Sequence, residues 1–261
     1  MSSMRRMRCV VASVLMLLAV PVGATPLVVT AERVPSGLWQ PQTGETPLFL
    51  GVSGRLRDRD SEIAAAIQRA AAEAARHVQV EAAYRRVTVS TGRTVGQHEV
   101  YDVEWDRGRE AGLLEHMEPV RIIRHDRGTV VWARVAGLRV APGLPHGVAR
   151  SGTGVPGWVS APPEAPPGYE VAVGVASRLR EFTALVDAAD ASALAGIIES
   201  GRVQVEVLQS ARAERRTEQQ SMVSRTSSRG TVQGFTVLMR YWDENRRVLY
   251  SLAIGEVIGV R

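Results

Sequence analysis

The feature that most constrains the fold of this chain is a stretch of eight residues that occurs twice. "GVSGRLRD" spans Gly51–Asp58, and "GVASRLRE" spans Gly174–Glu181, with the same order of glycine, leucine and two arginines. A catalytic loop is rarely duplicated within one chain, whereas a folding unit often is. The repetition therefore predicts two copies of one architectural unit rather than a reactive loop.

Each copy is followed by apolar residues at the spacings of three and four that are typical of a helix with one buried face. Asp60 or Ser61 is expected to cap the first helix, and Gly201 is expected to end the second. Glu62 and Glu73 are assigned to the polar outer face of the first helix. The two buried stripes share one register and consist of Ile63, Ala66, Ile67, Ala70, Ala74 and Val78 in the first copy and Phe182, Leu185, Val186, Ala189, Ala193 and Ile197 in the second.

Short apolar segments flank each predicted helix and read as strands. "LFLGVSG" and "YEVAVGVAS" precede the helices, and the tetrapeptide "VQVE" follows both. Each unit then closes with a predicted hairpin, whose turns lie near Asp126–Gly128 and Asp243–Asn245. Each crossover helix is expected to place its flanking strands parallel in one sheet. The sequence therefore predicts an α+β protein made of two tandem repeats of a small strand-helix-strand-strand-strand domain, each with a mixed sheet and a helix packed on it.

The predicted domain boundaries follow from this pattern. The first repeat domain spans residues 25–140, and the second spans residues 155–261. The segment between them, residues 141–154, is rich in glycine and proline and lacks an apolar pattern, as is typical of linkers.

Residues 1–24 have the three-part pattern of a secretory signal peptide: three arginines, an apolar run, and small residues ending at Ala24. The segment holds three arginines and no acidic residue, so its removal lowers the formal charge from +5 to +2. Without that excess of positive charge, the sequence no longer favours a nucleic-acid partner. Cys9 is the only cysteine and lies at the front of the apolar run, so neither a lipid anchor nor a disulfide is predicted. We expect a periplasmic protein; an uncleaved anchor is the alternative.

Three residue patterns are candidates for a catalytic or metal site. Ser53 lies in a partial nucleophile elbow, but Arg55 replaces the second glycine and Ala176 occupies the equivalent position in the second copy. The acidic residues of the row Asp102–Asp106 alternate along a strand, which is more often a solvated face than an acid–base pair. The histidines lack the spacing of a helical zinc site. We therefore predict no enzyme activity, no cofactor and no metal; a periplasmic ligand-binding protein and a hydrolase are the alternatives.

The second unit carries "PGWV", "YEVAVGVAS", "VDAADASALAGII", "VQVEV" and "VLYSLAIGE". On these segments it resembles the envelope lipoproteins of the LPP-twenty type and the N-terminal domain of the flagellar assembly protein T. The resemblance covers Pro156 to Glu256, with a weaker form from Pro35 to Gly137. Those lipoproteins carry a lipid-bearing cysteine at the mature N-terminus, which this chain lacks. The resemblance implies an exported, noncatalytic envelope protein and transfers no catalytic residue.

The sequence thus predicts a structural, assembly or interaction component of the cell envelope, with the flagellar basal body as one candidate setting. Its expected partners are envelope proteins or an anionic envelope polymer, because exposed arginines attract acidic surfaces. Peripheral association with a membrane and homo-oligomer formation stay open. The candidate partner-contact residues are Arg55, Arg57, Arg178, Arg180, Arg215 and Arg216.

Overall fold

The structure is a computed structural model, and it describes residues 26–30, 37–39, 47–91, 94–139, 155–201, 208–212 and 221–260. The predicted signal peptide lies outside these ranges. In chain order the elements are β1 (Leu27–Thr30), β2 (Gly37–Trp39), β3 (Leu48–Gly54), α1 (Arg59–Val78), β4 (Val80–Thr91), β5 (Thr94–Glu104), α2 (Arg107–Leu114), β6 (Glu118–His125), β7 (Gly128–Arg134), a short 3₁₀ helix (Gly157–Val159), β8 (Glu170–Ser177), α3 (Phe182–Ser200), β9 (Leu208–Arg212), β10 (Ser221–Asp243) and β11 (Val248–Val260).

The strands form two sheets against which the helices pack, so the predicted α+β class is confirmed. The four-stranded sheet has the order β1-β6-β7-β3 and is mixed, because β1 runs parallel to β6 while the other pairs are antiparallel. The seven-stranded sheet follows the path β5-β4-β10-β11-β8, and β2 and β9 also pair with β10. Every pair in this second sheet is antiparallel.

The local predictions for hairpins and helix ends largely match the structure. β6 and β7 join through a tight turn at Asp126, and β10 and β11 join through a turn that starts at Glu244. Gly201 ends α3, with its N–H donating to the carbonyl of Ile197 at 3.0 Å. The "VQVE" of the second copy, residues 203–206, lies outside the described residues.

The strand after α1 does not lie beside the strand before it, so the predicted parallel crossover is wrong. β3 pairs with β7 in the four-stranded sheet, whereas β4 pairs with β10 in the seven-stranded sheet. A side chain satisfies the backbone of β3 instead of a further strand: the N–H of Leu50 donates to Glu73 Oε2 at 2.6 Å. The tandem-repeat arrangement and its boundaries at residues 25–140 and 155–261 stay predictions. The seven-stranded sheet combines β2, β4 and β5 from the first range with β8, β10 and β11 from the second.

Helix α1 corrects two expectations about its polar residues. Its N-cap is Asp58, not Asp60 or Ser61: the Asp58 carboxylate accepts from the N–H groups of Asp60 at 3.3 Å and Ser61 at 2.9 Å. Glu62 and Glu73 do not face solvent; they are 0% and 3% exposed. Both carboxylates have donors inside the fold, and a charge is buried only where such donors replace water.

The repeated glycines lie where a strand touches a helix backbone. A Cβ atom on Gly51 would be 1.7 Å from the carbonyl oxygen of Ala66, and one on Gly174 would be 1.9 Å from that of Ala189. Ala66 and Ala189 are the residues matched by the shared register of the two stripes. Each copy thus places its glycine against the equivalent turn of its helix, where no side chain has room.

Helix α3 contacts both sheets and joins them into one core. Its first half packs with Leu50, Val52 and Trp132 of the four-stranded sheet and with Trp242 and Leu249 of the other. Its second half packs on the seven-stranded sheet alone. Helix α1 covers the opposite face of the four-stranded sheet, since side chains alternate between the two faces of a strand.

Candidate functional site

The two copies of the repeated stretch end at the same place on the molecule. Gly54, the last residue of β3, lies beside Glu181, the residue before α3, and a Cβ atom on Gly54 would be 4.0 Å from Glu181 Oε2. β3 and α3 are also in direct contact. The loops that follow β3 and β8 are therefore neighbours. We call Arg55–Asp58 and Arg178–Glu181 together the paired-loop surface.

Each loop of the paired-loop surface presents a leucine between two arginines. Leu56 is 43% exposed and Leu179 is 42% exposed. The flanking arginines Arg55, Arg57, Arg178 and Arg180 are all exposed. Two structurally separate loops thus expose the same apolar and cationic triplet at one end of the fold.

Most of these arginines have no partner in the described part of the chain. Arg55 Nε lies 3.7 Å from Glu62 Oε1, whereas Arg57, Arg178 and Arg180 form no ion pair or hydrogen bond with a described residue. The structure therefore brings together four of the six predicted contact residues. The other two, Arg215 and Arg216, lie outside the described residues.

A buried carboxylate holds the first loop in place. Glu62 accepts from the N–H of Leu56 at 2.9 Å, from Arg59 Nη1 at 2.7 Å and from Thr129 Oγ1 at 2.8 Å. Burial raises the pKa of Glu62, but these hydrogen bonds outweigh burial and hold the pKa below its ordinary value. The carboxylate stays ionised and fixes the backbone of Leu56, so that the leucine side chain is presented outward.

The second loop contains a backbone conformation that its sequence does not favour. Arg178 has φ of 65°, in the left-handed region where glycine is the unstrained residue. Such outliers persist where the surrounding structure holds them and are often found at functional sites.

A third loop adds arginines that the sequence interpretation missed. Ser177 pairs with Val248, which places the turn before β11 next to Arg178. That turn holds Arg246 and Arg247, both exposed, and Arg247 also has a positive φ of 55°. The sequence predicted this turn but did not indicate that it lies beside Arg178. That proximity depends on the pairing of β8 with β11, which are far apart in the chain.

The catalytic alternatives receive no support from the geometry. Ser53 is 4% exposed, and its Oγ donates to the carbonyl of Gly54 at 3.0 Å rather than to a histidine. The acidic row from Asp102 to Asp106 faces solvent, while the residues between are half-buried. Asp106 caps α2 by accepting from the N–H of Arg109 at 3.1 Å. These residues are accounted for by structural roles.

A buried histidine lies below the paired-loop surface. His125 is 2% exposed, and its Nδ1 accepts from the N–H of Arg127 at 3.1 Å. The proton of the neutral ring is therefore on Nε2, which is buried and has no hydrogen-bond partner. Burial lowers the pKa of His125, and this effect exceeds the opposing influence of Asp126.

We expect the protein to lose stability as the pH falls below the ordinary histidine pKa of 6.5. The unfolded chain takes up the proton at that pH while the folded chain does not, so protonation favours unfolding, and the full stability is present only above that pH. Denaturant unfolding between about pH 7.5 and about pH 5 should show this slope. His125→Phe should reduce the slope without abolishing it, because burial also lowers the pKa of His77; an unchanged slope in His125→Phe would contradict the assignment.

Among the described residues, no three His, Cys, Asp or Glu side chains converge in a way that could hold a metal ion. In the same part of the chain, no helix is both long and apolar enough to cross a membrane.

The chain was also compared with known proteins. No protein-family model matches it, and neither a curated protein nor a solved structure does so. The resemblance to the LPP-twenty-type lipoproteins and to the flagellar assembly protein T therefore stays a prediction.

Proposed function

We propose that this protein is an exported, noncatalytic component of the cell envelope that acts in assembly or interaction through the paired-loop surface. One observation carries the proposal: two loops with the same exposed Arg-Leu-Arg triplet lie side by side at one end of the fold. Arg57, Arg178 and Arg180 form no ion pair or hydrogen bond with a described residue, and each flanks an exposed leucine. Such a surface suits a partner that supplies both anionic and apolar groups.

The periplasmic location rests on the signal-like residues 1–24. The flagellar basal body remains one candidate setting, and only the sequence resemblance supports it. Ligand binding and hydrolysis are the alternatives, but the buried Ser53 offers a substrate no access. The proposal therefore assigns the protein a display role, in which a rigid α+β core holds the loops in a fixed arrangement.

Site-specific photo-crosslinking in the native cell tests this proposal. A crosslinking amino acid at position 56 or 179 should give an adduct with a partner, whether protein or lipid, because the wild-type leucines there are exposed in the proposed contact. The matched controls are Val100 and Ile258, which are 48% and 49% exposed but belong to strands. They should give no adduct. Equal labelling at all four positions, or none at the two loop positions, would refute a dedicated surface.

A further inference from the structure

We infer that the partner of the paired-loop surface is the surface of an anionic phospholipid bilayer. Leu56 and Leu179 would enter the boundary between headgroups and acyl chains, and the flanking arginines would pair with lipid phosphates. This inference rests on the proposed function, because it names the partner class for the same surface. It assigns peripheral binding through folded loops, independent of any segment that spans the membrane.

The leucines supply the apolar part of the argument. Both are large side chains exposed to nearly the same extent, 43% and 42%, and both lie in loops rather than in strands. In the first loop the hydrogen bond from the Leu56 N–H to the buried Glu62 holds the backbone that carries the exposed leucine. Two exposed leucines on neighbouring loops are suited to shallow insertion at a membrane interface.

The arginines supply the cationic part. Guanidinium groups bind phosphate through paired N–H donors, which makes arginine better suited than lysine to such contacts, and this chain contains no lysine. Arg57, Arg178, Arg180 and Arg247 have no ion pair among the described residues. The nearby carboxylate of Asp58 already caps α1 through three hydrogen bonds. Within the paired-loop surface the four arginines outnumber the two carboxylates, Asp58 and the exposed Glu181.

The arrangement fits a bilayer better than an acidic protein. In each loop one leucine lies between two arginines, so apolar and cationic groups alternate along the sequence in both loops. At a bilayer the leucines can reach the apolar layer while the arginines stay in the phosphate layer directly above it. A protein partner would have to present two separate apolar sites, each bordered by acids on both sides.

Vesicle co-sedimentation of the exported chain tests the inference. We expect at least about tenfold tighter binding to vesicles that contain phosphatidylglycerol than to pure phosphatidylcholine, with binding weakened by salt. The double variant Leu56→Asp and Leu179→Asp should lose about tenfold or more. Ile258→Asp, at an equally exposed position near the opposite end of β11, should bind like the wild type. All forms carry the same N-terminus, so differences among them report on the loops.

Arg178→Gly separates binding from folding. Glycine relieves the strain of the left-handed backbone at this position, so the melting temperature should rise. Vesicle binding should fall by about fivefold, which is the contribution of a single arginine to binding at an anionic membrane surface. A purely structural role for Arg178 would leave binding unchanged. Arg85→Glu, a charge reversal at an exposed arginine of β4, should reduce binding much less than Arg178→Glu.

The outcomes distinguish the inference from the proposed function. Vesicle binding that is absent, that is equal for both lipids, or that persists in the double leucine variant overturns the bilayer as partner. Displacement by soluble glycerol phosphate at matched concentration would also overturn it, because a free headgroup would then suffice. If the loops nevertheless crosslink to an acidic protein in cells, the proposed function stands with a different partner. If neither vesicle binding nor a crosslinked adduct is observed, both the inference and the proposed function fail.

Discussion

Gly51→Ala and Gly174→Ala are each expected to lower the free energy of unfolding by about 3 kcal/mol or more. The added methyl group at position 51 would lie 1.7 Å from the carbonyl oxygen of Ala66 and 2.8 Å from the N atom of Ala70. At position 174 it would lie 1.9 Å from the oxygen of Ala189 and 2.2 Å from the N atom of Ala193. These are backbone atoms, so the strand and helix must separate, and the packing between them is lost.

The matched control is Gly112→Ala, the same chemical change inside α2. A Cβ atom there meets nothing within 4 Å, and alanine is the better helix former, so stability should rise by up to about 1 kcal/mol. Denaturant unfolding of the three variants, followed by circular dichroism, measures the difference. A cost below about 1 kcal/mol at both repeated glycines would show that helix and strand do not approach as closely as described.

These glycines also show what could be predicted from the sequence. The register that matched Ala66 with Ala189 came from aligning the two copies of the repeat, and the structure places each alanine against the glycine of its own copy. The buried stripe of α3 and the end of α3 at Gly201 were predicted from local sequence patterns, and both predictions are confirmed. Such features follow from helical periodicity and chain stiffness, which a short window of sequence specifies.

Features that depend on distant partners were missed. Glu62 and Glu73 look like outer-face residues in a helical pattern, but their donors include Thr129, 67 residues away, and Arg240, 167 residues away. The pairing of β4 with β10 is equally long-range. In the candidate site, the arginines of each loop could be identified from the repeat, whereas their proximity and the contribution of Arg247 depend on how β3, β8 and β11 are arranged. No local pattern encodes that arrangement.

The second large effect is expected at Arg240, which is 1% exposed and bridges three elements. Its Nη2 lies 2.6 Å from Asp190 Oδ2 of α3 and 3.1 Å from Glu73 Oε1 of α1. Burial alone lowers the pKa of Arg240, but the charges of Asp190 and Glu73 outweigh burial and raise it. Arg240→Met should lower the free energy of unfolding by about 3 to 5 kcal/mol, because two buried carboxylates lose their cation.

An exposed ion pair of the same length provides the control. Arg69 Nη1 lies 2.7 Å from Asp187 Oδ2, with side chains 44% and 51% exposed. Arg69→Met should cost less than about 1 kcal/mol, because water screens and solvates both charges there. Equal losses in the two variants by denaturant unfolding would mean that the Arg240 cluster is hydrated rather than buried.

The triple variant Arg240→Met, Glu73→Leu and Asp190→Leu shows whether charge is the whole reason for the cluster. Replacing a complete buried ion network by apolar residues often restores stability. Here the restoration should be partial, because the carboxylates also accept from the Leu50 N–H at 2.6 Å and from Ser251 Oγ at 2.7 Å. Both donors would be left buried without acceptors, which costs about 1 to 3 kcal/mol each. Full recovery of the stability would instead show that the Leu50 N–H of β3 finds another acceptor.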